Sequence, residues 1–446
     1  MKAGISEKLV AHIWQHQLIT NLVTDAGDQF HIIYPGRVSS DGGCDFRDAV
    51  FVAGGRVIKG NIEVHVKSSQ WYSHGHHQDP KYNNIVLHVA MWHDTQSSIL
   101  LQNGATIPTI CLGSFLCDSL DEICRLTVSS RYSAFPCPEA IRNPNTEFLK
   151  ILLSAVGEER FATKASLFQK TLAEEEAGQV LFRGIARALG YAKNTESFEE
   201  LANRLPLRFL EEIETESSIV KRALILGTAG LLPSQRFRLR HRLIEEGEEE
   251  ELEMIWQAGS TTETMKETDW CFFRVRPANF PTRRLVALSY LLTRYYKSGL
   301  LRGILDLVRE APIGVGYRWL GNGLIVAGQD YWAKHSDFGI TRKRGLALLG
   351  QEKAAEIVIN TILPFVYAWG EAANEPKLEK KAIEIYRHYP RLGDNELSRH
   401  MKQQFLLEPN VDLSACQHQG LIHIFKTYCC YRNCTECPVA FNQGQG

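Results

Sequence analysis

Asp45, Glu63, His65 and Lys67 are the residues whose types and spacing bear most directly on chemistry. Asp45 heads FRDAVFVAGG, a segment that reads as a strand, and GNIEVHVK follows as another. Side chains two apart on a strand share a face, so Glu63, His65 and Lys67 project together while Ile62, Val64 and Val66 pack behind them. With 46–53 paired antiparallel to 57–67, Asp45 falls at the same edge as Glu63 and His65. Carboxylates and an ammonium on one strand face are costly to bury without partners or a metal. The two carboxylates suit a hard ion, Mg²⁺ or Mn²⁺, and Lys67 or His65 beside it can position a water. Taken singly, each residue has a plain structural use: Asp45 caps a turn, His65 and His88 bond within strands, Lys67 faces water. The whole set on one hairpin is what points to a site.

An aspartate at the head of one strand, a hairpin, then an acidic residue and a lysine on the next resembles the PD-(D/E)XK nuclease superfamily, over about residues 1–115. Glu7, on a helix ahead of the hairpin, falls where many of those nucleases carry an acid. The resemblance implies a metal-dependent nuclease acting on DNA or RNA. Asp45 and Glu63, assisted by Glu7, would hold Mg²⁺ or Mn²⁺, and Lys67 or His65 would orient the water. There are two departures: Cys44 replaces the proline, and the acid and the lysine are four apart with His65 between them. Over its full length the chain resembles an uncharacterised bacterial family of unknown function, number 2851. The residues that carry this are GCDFRDA, GNIEVHVKSSQWYSHGHHQDPKYNNIVLHV, RVRPANFPTRRLVAL and the terminal cysteines. That resemblance brings no activity with it. Two other functions stand beside the nuclease: a non-catalytic scaffold on a degenerate core, binding nucleic acid or protein, and a His/Asp metal-dependent phosphoesterase.

The loop WYSHGHHQDP follows the second strand. His74, His77 and Asp79 are candidates for a transition-metal site in which neutral imidazoles are the donors, or His74 and His77 steady a substrate phosphate. The phosphoesterase requires these three to converge with Asp45. A polar loop with one or two histidines fastening the backbone is the plain alternative. In RVRPANFPTRRL, Arg283 and Arg284 at a helix N-terminus form a candidate anion site that could receive a nucleic-acid strand, against the blander alternative of pairing with glutamates. At the C-terminal end, Cys429, Cys434 and Cys437 have the C-x4-C-x2-C spacing of a metal or cluster loop, with Cys416 or Cys430 as fourth ligand to an iron–sulfur cluster or Zn²⁺. The segment Leu421 to Phe425 would hold this module on the helical domain.

The elements that position these residues follow from periodicity. Helical spacing over residues 4–19 gives way to period-two segments, FHIIYPG, FRDAVFVAGG, RVIKGNIEVHVKSS, NNIVLHVAMWHD and ATIPTICLG, with Gly54-Gly55 as a hairpin turn. Beyond Pro138 the 3,4 apolar spacing of helices takes over. RFRLRHRLIEEGEEEELEMIW reads as a solvated helix with an acidic loop. At 446 residues the chain exceeds one ordinary core. The expected architecture is α+β: a nuclease-like mixed α/β domain at 1–140, a mainly helical domain at 141–410 and a cysteine-rich module at 411–446. A net charge of −1 gives no general attraction for phosphate backbones, so nucleic-acid binding must rest on local patches. No apolar run is long enough to span a membrane, and the first residues lack a signal-peptide core, so the expected location is the cytoplasm. An odd count of eleven cysteines in that setting favours thiols or metal ligands over disulfides.

Overall fold

The computed structural model describes residues 5–15, 22–24, 29–39, 43–95, 98–115, 137, 145–191, 193–213, 217–237, 239, 247–259, 263–272, 275–312, 314–342, 345, 347–431 and 433–441. The chain divides into two compact units. One comprises residues 1–156, 394–412 and 419–446, the other 157–393 and 413–418. The chain is thus mixed α/β, with a sheet in its N-terminal part and helices through most of the rest.

The first unit begins with α1 (Glu7–Gln15) and continues through β1 (Leu22–Val23), β2 (Gln29–Tyr34), β3 (Arg37–Val38), β4 (Phe46–Ala53) and β5 (Arg56–Lys67). After the short helix α2 (Gln70–Ser73) come β6 (Ile85–Trp92), β7 (Ile99–Leu100), β8 (Thr106–Ile107) and β9 (Thr109–Cys111). The main sheet runs β1-β2-β4-β5-β6-β9, with β3 on β4. Every segment read as a strand from its alternation contains one. Ala53 pairs with Arg56 across Gly54 and Gly55, whose φ values of 55° and 75° are the left-handed pair a two-residue hairpin turn requires.

β5 pairs antiparallel with β4 on one side and parallel with β6 on the other. A parallel partner needs a crossover, and residues 68–84 supply it. Gly60 makes the approach possible, because a Cβ there would lie 2.4 Å from a Val86 methyl. The sheet therefore has two different faces at β5. Ile62, Val64, Leu87, Val89 and Ile110 pack with Val10, Ile13 and Trp14 of α1, each such side chain contributing roughly 1.5–3 kcal/mol relative to exposure. Glu63 and His65, and His88 on β6, point the other way, toward the crossover.

The end of the chain returns to this unit. Arg37 bridges Asp48 and Glu396 at 2.9 and 2.8 Å, the Tyr34 hydroxyl lies 3.2 Å from His400 Nε2, and the Phe425 ring stands edge-on to Tyr34, 5.6 Å between centroids. The expectation that Leu421 to Phe425 seats the cysteine segment on the helical domain is corrected: Phe425 finds its aromatic partner on β2.

The second unit is helical. Helices Ala177–Leu189, Ser218–Thr228, Pro281–Arg294 and Leu300–Glu310 supply Leu181, Ile185, Leu226, Leu285, Leu288 and Ile304 to one core. The apolar run AAEIVINTILPFVYAWG forms a helix with a π turn at Val358–Ile362, just ahead of Pro364, which has no N–H to give the helical ladder. Of the arginine–glutamate stretch, residues 238 and 240–246 lie outside the described residues. No helix among the described residues is long and apolar enough to cross a membrane.

Candidate functional site

The crossover decides which side chains meet β5. Gly75, with φ 76°, ends α2 and starts a tight turn at His76–Gln78. Successive residues of such a turn point in different directions, so His76 is carried inward and His77 is not. His76 is buried between the Tyr82 ring, 4.0 Å away, and Trp71, 5.2 Å away. His74, exposed to solvent, reaches back to β5. As a result His65, His74 and His76 each bring a nitrogen within 4.8 Å of the other two, the one such grouping of metal-type donors among the described residues.

Two distances define this cluster. His65 Nε2 lies 3.2 Å from His74 Nδ1, and His76 Nε2 lies 3.4 Å from Glu63 Oε1. With zinc–ligand bonds of roughly 2.0–2.1 Å, adjacent corners of a tetrahedron are about 3.3 Å apart. Each of these two separations matches one edge of such a tetrahedron. His76 Nε2 is buried without a hydrogen-bond partner, as a nitrogen kept for a cation would be.

A second layer orients the first. His65 Nδ1 lies 2.9 Å from His88 Nε2, and His88 Nδ1 lies 3.4 Å from the Thr109 hydroxyl. If His88 donates to Thr109 and His65 donates to His88, the lone pair of His65 Nε2 is left facing His74, which is the tautomer a ligand needs. If the trio holds Zn²⁺ or Mn²⁺, His88→Ala is expected to lower the affinity by roughly 10- to 100-fold. Competition titration against a chelator measures this, and an unchanged affinity would remove His88 from the centre.

Burial disfavours the charged form of four imidazoles, His65, His76, His88 and His400. It holds the pKa of His65 down to about 2, helped by His88, His76 and His74, and that of His88 down to about 3, helped by His76 and His93. His76 is lowered to about 4 by burial and His74, and His400 to about 4 by burial and Arg37. Unfolded histidines titrate near about 6.5, so between these values the unfolded chain binds protons that the folded chain refuses. Their contribution to stability is complete above about pH 6.5 and is lost as the pH falls. Burial pushes Asp45 up to about 6, with Glu7 adding to the effect and the Val64 amide opposing it. Between about 6 and 4 its folded carboxyl holds a proton that the unfolded one lacks, a change of opposite sign. Four imidazoles outweigh one carboxyl. Chelator-treated protein is expected to lose melting temperature steadily from about pH 6.5 to 4.5, and a flat profile over that range would contradict the neutral burial of these four imidazoles.

The remaining sequence candidates separate into three groups. Asp45 stays on the hairpin, its Oδ2 accepting the Val64 N–H at 2.8 Å, with Glu7 close enough to raise it. Glu7 itself accepts from Gln70 Nε2 at 3.4 Å. Lys67 is 60% exposed, with its Nζ 3.9 Å from Asp94. His77 and Asp79 do not join the trio: the His77 ring lies against Tyr72, and Asp79 caps the next turn by accepting from the Lys81 amide and ammonium at 3.1 and 3.0 Å. Arg283 and Arg284 are buried side chains of the helical unit and face no open surface. Arg283 donates to the Trp332 and His335 carbonyls, and Arg284 to the Leu348 carbonyl, the Tyr191 hydroxyl and Asn279. The expectation that they receive substrate is corrected, since both side chains are buried and bonded within their own unit to carbonyls, a hydroxyl and an amide oxygen. His76 was missed by the sequence reading. The alternation His74-Gly75-His76, with a glycine to turn the chain, was its only signal.

Residues 7–395 match the model of the family described as "Protein of unknown function (DUF2851)". The chain belongs to that family. The match covers α1, the whole sheet with its histidine cluster, and the helical unit as far as residue 393, so both the imidazole trio and Glu63 lie inside the DUF2851 region. No curated protein and no solved structure shows significant similarity to the chain.

Proposed function

We propose that this DUF2851 chain is a metal-dependent hydrolase of nucleic-acid phosphodiesters whose centre is His65, His74, His76 and Glu63. The observation that carries the reading is the convergence of three imidazole nitrogens beside a buried carboxylate. Three neutral nitrogens and one carboxylate oxygen suit Zn²⁺ or Mn²⁺ better than Mg²⁺, which prefers oxygen. Such an ion supplies Lewis-acid polarisation of a phosphoryl oxygen and acidifies bound water. Asp45, one strand over from Glu63 and pushed up to about 6, is the group suited to exchange a proton with water near neutral pH.

The sheet supports the phosphodiester part of the reading. An antiparallel hairpin leading into parallel strands, with a helix bearing an acid packed on it, suits the resemblance to PD-(D/E)XK nucleases. In this reading Lys67 is a surface residue and His74 moves from substrate contact to ligand.

The test is to strip the full-length protein with a chelator, reload it with Zn²⁺, Mn²⁺ or Mg²⁺, and assay single- and double-stranded DNA and RNA beside Glu63→Gln. Cleavage with Mn²⁺ or Zn²⁺ that Glu63→Gln loses is the expected result. Metal binding without cleavage of any polymer would sink the nuclease reading and leave a non-catalytic scaffold.

A further inference from the structure

The cysteines gather in a second place. Cys429 opens one tight turn, Cys429–Tyr431, and Cys434 another, Cys434–Glu436. The Asn433 amide donates back to the Tyr428 carbonyl at 3.0 Å and the Cys437 amide to the Cys434 carbonyl at 3.2 Å, so the segment doubles on itself. Cys416 is not the fourth. It belongs to the helical unit, where its thiol meets the Tyr386 hydroxyl. Cys430 turns away as well, its Sγ 3.2 Å from the Lys426 carbonyl oxygen and its surroundings set by Lys59 and Asp48.

Cys137 comes in instead, from the far end of the sheet-bearing unit. Its amide donates to the Gln404 carbonyl at 2.8 Å, which anchors it to the returning segment of that unit. The sulfurs of Cys137, Cys434 and Cys437, and of the neighbouring Cys430, all lie within electrostatic reach of Cys429, and those of Cys137 and Cys434 within reach of Cys437. The Cys437 sulfur also receives the Val439 and Ala440 amides. Amide donors aimed at sulfur are what a metal-bound thiolate uses to disperse its charge.

We propose that Cys137, Cys429, Cys434 and Cys437 together bind one thiophilic metal centre, zinc or an iron–sulfur cluster, that ties residue 137 to the C-terminal turns. The spacing C-x4-C-x2-C supplies three ligands from one short stretch, and Cys137 closes a long loop, the arrangement in which a cross-link restricts the unfolded chain most. The site shares no residue with the histidine cluster and does not depend on its chemistry.

The test is anaerobic purification of the full-length chain, with metal and acid-labile sulfide measured. Expected is about one zinc, or about four iron with four sulfide, held by thiolates. Visible charge-transfer absorption reports a cluster. Where zinc is found, replacement by Co²⁺ gives a sulfur-to-cobalt band that a histidine site cannot produce, so a failed hydrolase assay leaves this readout intact. Cys137→Ser and the exposed Cys434→Ser should lose the band and the metal, while Cys416→Ser and Cys430→Ser keep both. The proposal is overturned if reconstituted wild type shows no thiolate band, or if Cys137→Ser keeps the full band.

Discussion

His76→Ala is expected to lower the proposed phosphodiester cleavage by roughly 10²- to 10⁴-fold, and Lys67→Ala by less than about tenfold. The contrast follows from where the two side chains stand. His76 Nε2 is buried, has no hydrogen-bond partner and lies 3.4 Å from Glu63, whereas Lys67 Nζ is mostly exposed beside Asp94. If water is activated at the histidine centre, removing one of its nitrogens leaves an ion with too few ligands, and removing the lysine alters a surface charge. Paired measurements of metal content and cleavage separate the two. Loss of activity in Lys67→Ala with His76→Ala unaffected would return the chemistry to the lysine and exclude the histidine centre. Because His76 also packs on Tyr82 at 4.0 Å, the variant's melting curve serves as the control for folding.

Much of the sheet was legible in the sequence because alternation with β-branched residues reports a strand directly, and Gly54-Gly55 reports the turn that fixes its register. The neighbourhood of Asp45 and Glu63 followed from that register. The partner of β5 was not legible: period two identifies a strand without saying that Glu63 will sit beside His88 in a parallel pair. The histidine loop was visible as a cluster, but choosing His76 over His77 depends on Gly75 taking a left-handed conformation, a single backbone angle. Charge was the least reliable guide. Arg283 and Arg284 read as an anion site, and Glu249 and Glu253 as a solvated face, yet all four are buried with specific partners. Sequence alone cannot distinguish a charge facing water from one enclosed by carbonyls and hydroxyls supplied by distant segments. Cys137 was hidden for the same reason, since its companions lie at the other end of the chain.

Asp337→Ala is expected to destabilise the helical unit by about 3–5 kcal/mol. Asp337 is 2% exposed, and both of its oxygens lie 2.8 Å from Arg236 Nη1. It also accepts from the Thr282 hydroxyl at 2.8 Å and the Phe338 amide at 3.0 Å. Arg236 completes its own shell with Glu267 at 3.0 Å and the Phe272 ring at 4.6 Å. Removing Asp337 leaves a buried guanidinium with Glu267 as its remaining charge partner, and leaves the Thr282 hydroxyl without its acceptor. That penalty comes from the abandoned charge more than from any gain in forming the pair. The double variant Arg236→Met with Asp337→Leu, which removes both charges, should therefore lose less than Asp337→Ala alone. Urea midpoints of the three proteins measure the difference. A double variant no more stable than Asp337→Ala would mean that the cost lies in lost packing around Thr282 and Phe338 and not in the stranded charge.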